Sequence, residues 1–133
     1  MNSTRYRVVF LLLGTALILV VIGAVLLAPG GTSVPLPDQI EEVSPADGAI
    51  VLRQVGLEID MQPGYTIDLI VDGAAIPPVE VDFTEATGIA TWRPGPGMTF
   101  EVWAPGTHTI VVEWERATGL PDPGRYLWTF RVQ

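Results

Sequence analysis

Residues 65–73 read Tyr65-Thr66-Ile67-Asp68-Leu69-Ile70-Val71-Asp72-Gly73. Tyr65, Ile67, Leu69 and Val71 take every second place, with Thr66, Asp68, Ile70 and Asp72 between them. A β-strand sends successive side chains to opposite faces, so this pattern predicts one apolar face and one wetter face. Asp72-Gly73 closes the run with a pair that tolerates positive φ, which predicts a turn. The same alternation recurs outward from this stretch. Upstream, Leu57 and Ile59 alternate with Glu58 and Asp60. Downstream, Val79, Val81 and Phe83 alternate with Glu80 and Asp82, Ile110, Val112 and Trp114 with Val111, Glu113 and Glu115, and Tyr126, Trp128, Phe130 and Val132 with Leu127, Thr129 and Arg131. Ala49 to Leu52 and Ile89 to Trp92 are shorter candidates. Asp47-Gly48, Pro63-Gly64, Thr87-Gly88, Pro105-Gly106 and Thr118-Gly119 supply turn chemistry between the runs. About seven short strands at close spacing predict an all-β, immunoglobulin-like antiparallel β-sandwich over residues 45–133.

The chain ahead of this region has a different period. Val8 to Ala28 is an uninterrupted apolar run of 21 residues, preceded by Arg5 and Arg7. At ~1.5 Å per residue it makes a helix of roughly 31 Å, the thickness of a bilayer's hydrocarbon core. The run exceeds the usual apolar segment of a secretory signal. It also ends Leu26-Leu27-Ala28-Pro29, which is a poor cleavage site. The expectation is a retained, single-pass anchor over 8–28, and a mature protein beginning near Pro29 would reverse it. The two arginines of the short flank predict a cytoplasmic tail over 1–7, with the rest of the chain extracytoplasmic. No charge interrupts the run and no G-x-x-x-G face exists in it, so it reads as a simple tether. Residues 29–44, PGGTSVPLPDQIEEVS, read as a Pro/Gly-rich, semi-rigid linker.

Composition narrows the partners. Beyond Pro29 five arginines stand against all fifteen acidic residues, a formal charge of −10, and lysine is absent from the whole chain. Such a field repels nucleic acid and anionic lipid head groups and suits cations or basic surfaces. Arginine used to the exclusion of lysine matches a high-GC bacterial genome. With no cysteine, the domain folds without disulfides and presents no thiol nucleophile.

Val43-Ser44-Pro45-Ala46-Asp47-Gly48-Ala49-Ile50-Val51 resembles the S-P-A-x-G-A-x-V opening of bacterial Ig-like domains, among them the copper-resistance periplasmic family called CopC. Ile67 to Gly73 (IDLIVDG) and Ala104 to Val112 (APGTHTIVV) are similar to later strands of such domains, so the resemblance spans roughly Val43 to Val132. It implies an Ig-like sandwich and, as an alternative function, metal binding in the cell envelope. That family binds copper through imidazole nitrogens, one of them from a histidine at the mature N-terminus. This chain departs there: Glu41-Glu42-Val43 precedes the motif, and His108 is the sole histidine.

The metal candidates are accordingly few. One imidazole with carboxylates makes a weak copper site, and His108, Asp68 and Asp82 are the residues that would serve. His108 also reads as a buried, hydrogen-bonded ring. Glu58, Asp60, Asp68, Asp72, Glu80 and Asp82 share the outward parity of three consecutive strands. If these strands share a sheet they make a carboxylate face, which reads as solvated surface, as a calcium site or as a docking surface for a basic partner. Trp114 and Trp128 belong to the core. Trp92 and Trp103 bracket the loop Arg93-Pro94-Gly95-Pro96-Gly97-Met98 and read either as core packing or, with Arg93, as a partner-binding platform. Ser3, Ser33 and Ser44 lie in the tail or linker, so no Ser–His arrangement is placed and no catalytic residue is assigned. The sequence thus predicts a non-enzymatic membrane protein with no cofactor. It displays a binding or accessory module to an envelope protein of unspecified identity.

Overall fold

The computed structural model describes residues 3–27 and 35–133, which fall into two separate units. The first is a helix, α1 (Ser3–Leu27), with no acidic residue in its first turn and no basic residue in its last. Within it Thr4–Ala24 has a mean hydropathy of 2.5, long and apolar enough to cross a membrane or to serve as a signal sequence. Its described side chains from Thr4 to Arg7 and onward are exposed around the whole helix, so no amphipathic face commits it to a soluble core. Arg5 and Arg7 belong to the helix, so the expected tail is helical from Ser3. Ala28, the last residue of the expected anchor, and residues 29–34 of the expected linker lie outside the described residues.

The second unit is a two-sheet β-sandwich. Its strands are β1 (Ile40–Ser44), β2 (Ile50–Val51), β3 (Leu57–Met61), β4 (Tyr65–Val71), β5 (Ala74–Ala75), β6 (Asp82–Thr84), β7 (Ile89–Trp92), β8 (Gly106–Arg116) and β9 (Gly124–Val132). One sheet has the order β1-β3-β7-β6, the other β2-β9-β8-β4-β5. All pairings are antiparallel except β2 with β9. The inward residues are those the alternation marks: Leu57, Ile59 and Met61 from one sheet face Leu69, Ile110, Val112, Trp128 and Phe130 from the other.

Three expectations change. The end of the predicted linker is not linker, because Ile40–Ser44 is the edge strand β1, with Ile40 and Val43 in the core. The predicted strand over Val79 to Phe83 is shorter. Pro77 and Pro78 lack ladder N–H groups and open a single 3-10 turn over Pro78–Glu80, leaving Val79 91% exposed. The expected carboxylate face is divided. β3 and β4 are consecutive in the chain but belong to opposite sheets, so Glu58, Asp60 and Asp82 lie on one sheet and Asp68 on the other. The Pro63-Gly64 corner carries the chain between sheets, with Gly64 at φ +94.

Two glycines are fixed by close approach. A Cβ on Gly88 would lie 1.9 Å from the Met61 carbonyl oxygen, and one on Gly124 would lie 2.3 Å from the Trp114 ring. The second lets the indole of Trp114 on β8 lie against its register partner Gly124 on β9.

Candidate functional site

β8 brings His108 inward at one end of the sandwich. Its parity is that of Ile110, Val112 and Trp114, and it is 8% exposed. Nδ1 lies 2.6 Å from Asp72 Oδ2, and Nε2 lies 2.6 Å from the Ala104 carbonyl oxygen. Asp72 holds its place because its other oxygen accepts the Thr109 N–H at 2.8 Å and its own N–H donates to the Thr109 carbonyl at 2.8 Å. It occupies the turn with φ +49, a conformation that Asp tolerates better than most residues. The ring also packs against Trp103, with centroids 4.7 Å apart. Each imidazole nitrogen therefore faces an oxygen within the fold, so neither is open to a metal or to a nucleophile.

The His108–Asp72 contact has the form of the histidine–carboxylate half of a hydrolytic triad. Its far nitrogen, however, ends on a backbone carbonyl where a triad needs a hydroxyl. The metal candidates are likewise dispersed. Asp68 pairs in register with Glu113 on the five-stranded sheet, Asp82 with Thr91 on the four-stranded sheet, and His108 is interior. Among the described residues, no three His, Cys, Asp or Glu side chains gather where one ion could reach them all. Copper as cargo would need several nitrogen donors. The donor set here does not fit it.

Trp92 and Trp103 do not form a surface platform, being 3% and 2% exposed. They pack edge to face with centroids 5.5 Å apart, and Trp103 continues onto Phe130 at 5.2 Å. Each indole N–H has an internal acceptor: Trp92 donates to Glu80 at 3.3 Å, and Trp103 donates to the Val55 carbonyl at 2.8 Å. Glu80 also accepts from the Thr99 backbone N–H at 2.8 Å and the Thr99 hydroxyl at 3.0 Å, which fastens the Pro94–Phe100 loop over the pair. Burial of aromatic area and these bonds explain why the two rings close the core.

Arg93, the third partner candidate, is exposed directly after β7. It stands between two depressions. One, of about 590 Å³, lies over the four-stranded sheet and is lined by Glu58, Glu80, Asp82, Thr91 and Arg93 among others. The other, of about 320 Å³, is lined by Arg53, Gln54, Arg93, Pro94, Glu101, Val102 and the edge of Trp103. Arg53 was not marked by the sequence, since a lone arginine between two short strands carries no pattern.

The opposite end of β8 carries a second polar cluster. Tyr65 donates its hydroxyl to Asp122 at 2.5 Å, Gln39 Nε2 donates to the same oxygen at 3.2 Å, and Arg116 approaches it at 3.9 Å. The Tyr65 hydroxyl, then Gln39, hold the Asp122 carboxyl below its ordinary range. Arg116 is raised, chiefly by its bond to the Tyr65 oxygen. Burial, followed by the nearby Asp47 charge, raises Tyr126.

No protein-family model matches the chain, and no curated protein matches it. Among solved structures the chain is similar to CopC from Methylosinus trichosporium OB3b, with a TM-score of 0.50 and 12% sequence identity over 71% of this chain and 91% of that one. At that identity the likeness speaks for the fold, and the sandwich of this chain is CopC-like in fold.

Proposed function

We propose that the chain is a non-enzymatic, single-pass membrane protein. Its N-terminus is cytoplasmic, α1 is retained as the anchor, and the CopC-like sandwich stands outside the membrane as a binding or accessory module for an envelope protein. The observation that carries this reading is His108. The sole imidazole has both nitrogens engaged by Asp72 and Ala104 within the core, while open depressions flank Arg93 on the surface. A CopC-like fold is thus combined with a single imidazole turned inward, which does not suit copper. The −10 formal charge beyond Pro29 supports a partner that is not nucleic acid.

The competing reading, a metal-handling envelope protein, draws on the CopC likeness for copper and on the outward carboxylates for calcium. Calorimetric titration of the full chain in detergent micelles with copper(II) and with calcium separates the two. The expected result is no heat of binding at micromolar metal, and a stoichiometric copper isotherm lost in His108→Ala overturns the module reading. Topology is tested on the cysteine-free chain by placing one cysteine at Ser3 or at Ala86. A membrane-impermeant maleimide should label only the second in intact cells, and the reverse pattern rejects the orientation.

A further inference from the structure

Five arginines lie in the sandwich, and the ion pairs among the described residues engage two of them, Arg116 with Asp122 and Arg125 with Glu113. Arg53 and Arg93 are in no such pair, yet both line the 320 Å³ cleft. In a domain with three times as many acidic as basic residues, two guanidiniums outside any ion pair against one carboxylate, Glu101, make this cleft a local reversal of sign.

The fold holds both in place. Arg53 sits in a turn closed by the Val55 N–H donating to the Leu52 carbonyl at 3.1 Å, and the Trp103 indole N–H fixes the Val55 carbonyl at 2.8 Å. Arg93 follows the buried Trp92 and lies against the bare backbone of Gly56. A Cβ there would stand 3.5 Å from Arg93 Nε and 3.6 Å from Nη2, ordinary contact distances, so the guanidinium rests beside the chain at Gly56. Val102, 74% exposed, adds an apolar wall. The neighbouring 590 Å³ groove shares Arg93 and Pro94 with this cleft and is rimmed by Glu58, Glu80 and Asp82.

We infer that the two depressions form one binding track for an extended polypeptide segment: the Arg53–Arg93 cleft takes a carboxylate and the adjoining groove takes basic side chains. Guanidiniums pair with carboxylates through two parallel hydrogen bonds, which gives the cleft direction as well as charge. Glu101 in the same cleft favours a singly charged carboxylate over a dianionic phosphate. The inference rests on the module reading above and names the chemistry of its partner.

The test uses the full chain in detergent micelles and a fluorescent pentapeptide, two lysines followed by glycine and two leucines, read by anisotropy. Three forms of the probe distinguish the carboxylate's source: a free C-terminus, a C-terminal amide, and an amide with one leucine replaced by aspartate. A track built for chain ends binds only the first, and one built for acidic side chains binds the first and third. Arg93→Ala and Arg53→Ala should each weaken binding about tenfold or more, the effect of losing a hydrogen bond between charged groups. Arg93→Lys should recover part of it, and Arg131→Ala should change nothing. Far-UV circular dichroism verifies that each variant is folded. Equal binding of all three probes, or indifference to both arginine variants, overturns the inference. If no probe binds the wild type, the carboxylate track is rejected while the module reading stands on its titration and labelling results.

Discussion

The two ends of β8 handle the same problem, an aspartate beside a tryptophan-closed core, in opposite ways. At the His108 end, Asp72 bonds to a buried ring, and the sealing indole of Trp103 donates to the Val55 carbonyl. At the Arg116 end, Asp122 gathers Tyr65, Gln39 and Arg116 at a half-buried position, and the closing indole of Trp114 has no hydrogen-bond partner for Nε1 among the described residues. The first end joins its polar groups to the packing. The second reaches its polar cluster through the hydroxyl of one core residue, Tyr65, and leaves the Trp114 Nε1 without a partner among the described residues. A buried polar group is costly when unpaired, so the two indoles differ in what each leaves satisfied.

The largest effect that would break this contrast is Trp103→Ala. It removes a ring packed on Trp92, His108 and Phe130, and the expected cost is about 3–5 kcal/mol in chemical denaturation. A loss under about 1 kcal/mol would show that this end is not sealed by Trp103. Next comes Gly124→Ala, whose methyl would enter the Trp114 ring. Overpacking predicts a loss of about 1–3 kcal/mol, with the near-UV dichroism of tryptophan altered. A pair of conservative changes sharpens the comparison further. Trp103→Phe should cost more than Trp114→Phe by about 1 kcal/mol, because only the first strands an acceptor, the Val55 carbonyl. Equal losses would erase the proposed difference between the ends.

The smallest effect is a dependence on pH. Asp122 is held below its ordinary range in the folded chain, so its contribution is fully present above the unfolded carboxyl value near 3.8 and fades as pH falls through the folded one. Stability of the wild type minus that of Asp122→Asn, followed by denaturation from pH 6 downward, should shrink only in strongly acid solution. A difference that grows on acidification would contradict the assignment of Tyr65 and Gln39 as its stabilising partners.

Much of this was legible in the chain, for reasons that particular residues make plain. Period-two alternation located β3, β4, β7, β8 and β9, since each has one face in the core. It missed β1. The register there shifts between Ile40 and Glu42, so the two buried residues, Ile40 and Val43, stand three apart rather than two. Alternation also assigns a face and never a partner strand, which is why six acidic residues of like parity read as one face if their strands shared a sheet, whereas four of them divide between two sheets and Asp72 and Glu80 lie in turns. His108 shared the inward parity of Ile110, so its burial was readable. Its bond to Asp72 joins residues 36 apart and was not. Trp103 lies outside any strand, where no period exists to separate core from surface. Arg93 stood out beside it, and Arg53 became meaningful only once the fold placed it in the same cleft.

The strand that alternation missed has a mechanical consequence. Because the chain enters the sandwich through β1, tension applied from the N-terminal side reaches the bonds of Gln39 to Asp122 and of Gln62 to Asp38 and Gln39 before it reaches the core. Beyond them it loads an edge ladder of five residues, and peeling that ladder would bare Ile40 and Val43. A pull from that side therefore loads the margin of the four-stranded sheet ahead of the inter-sheet packing around Trp128.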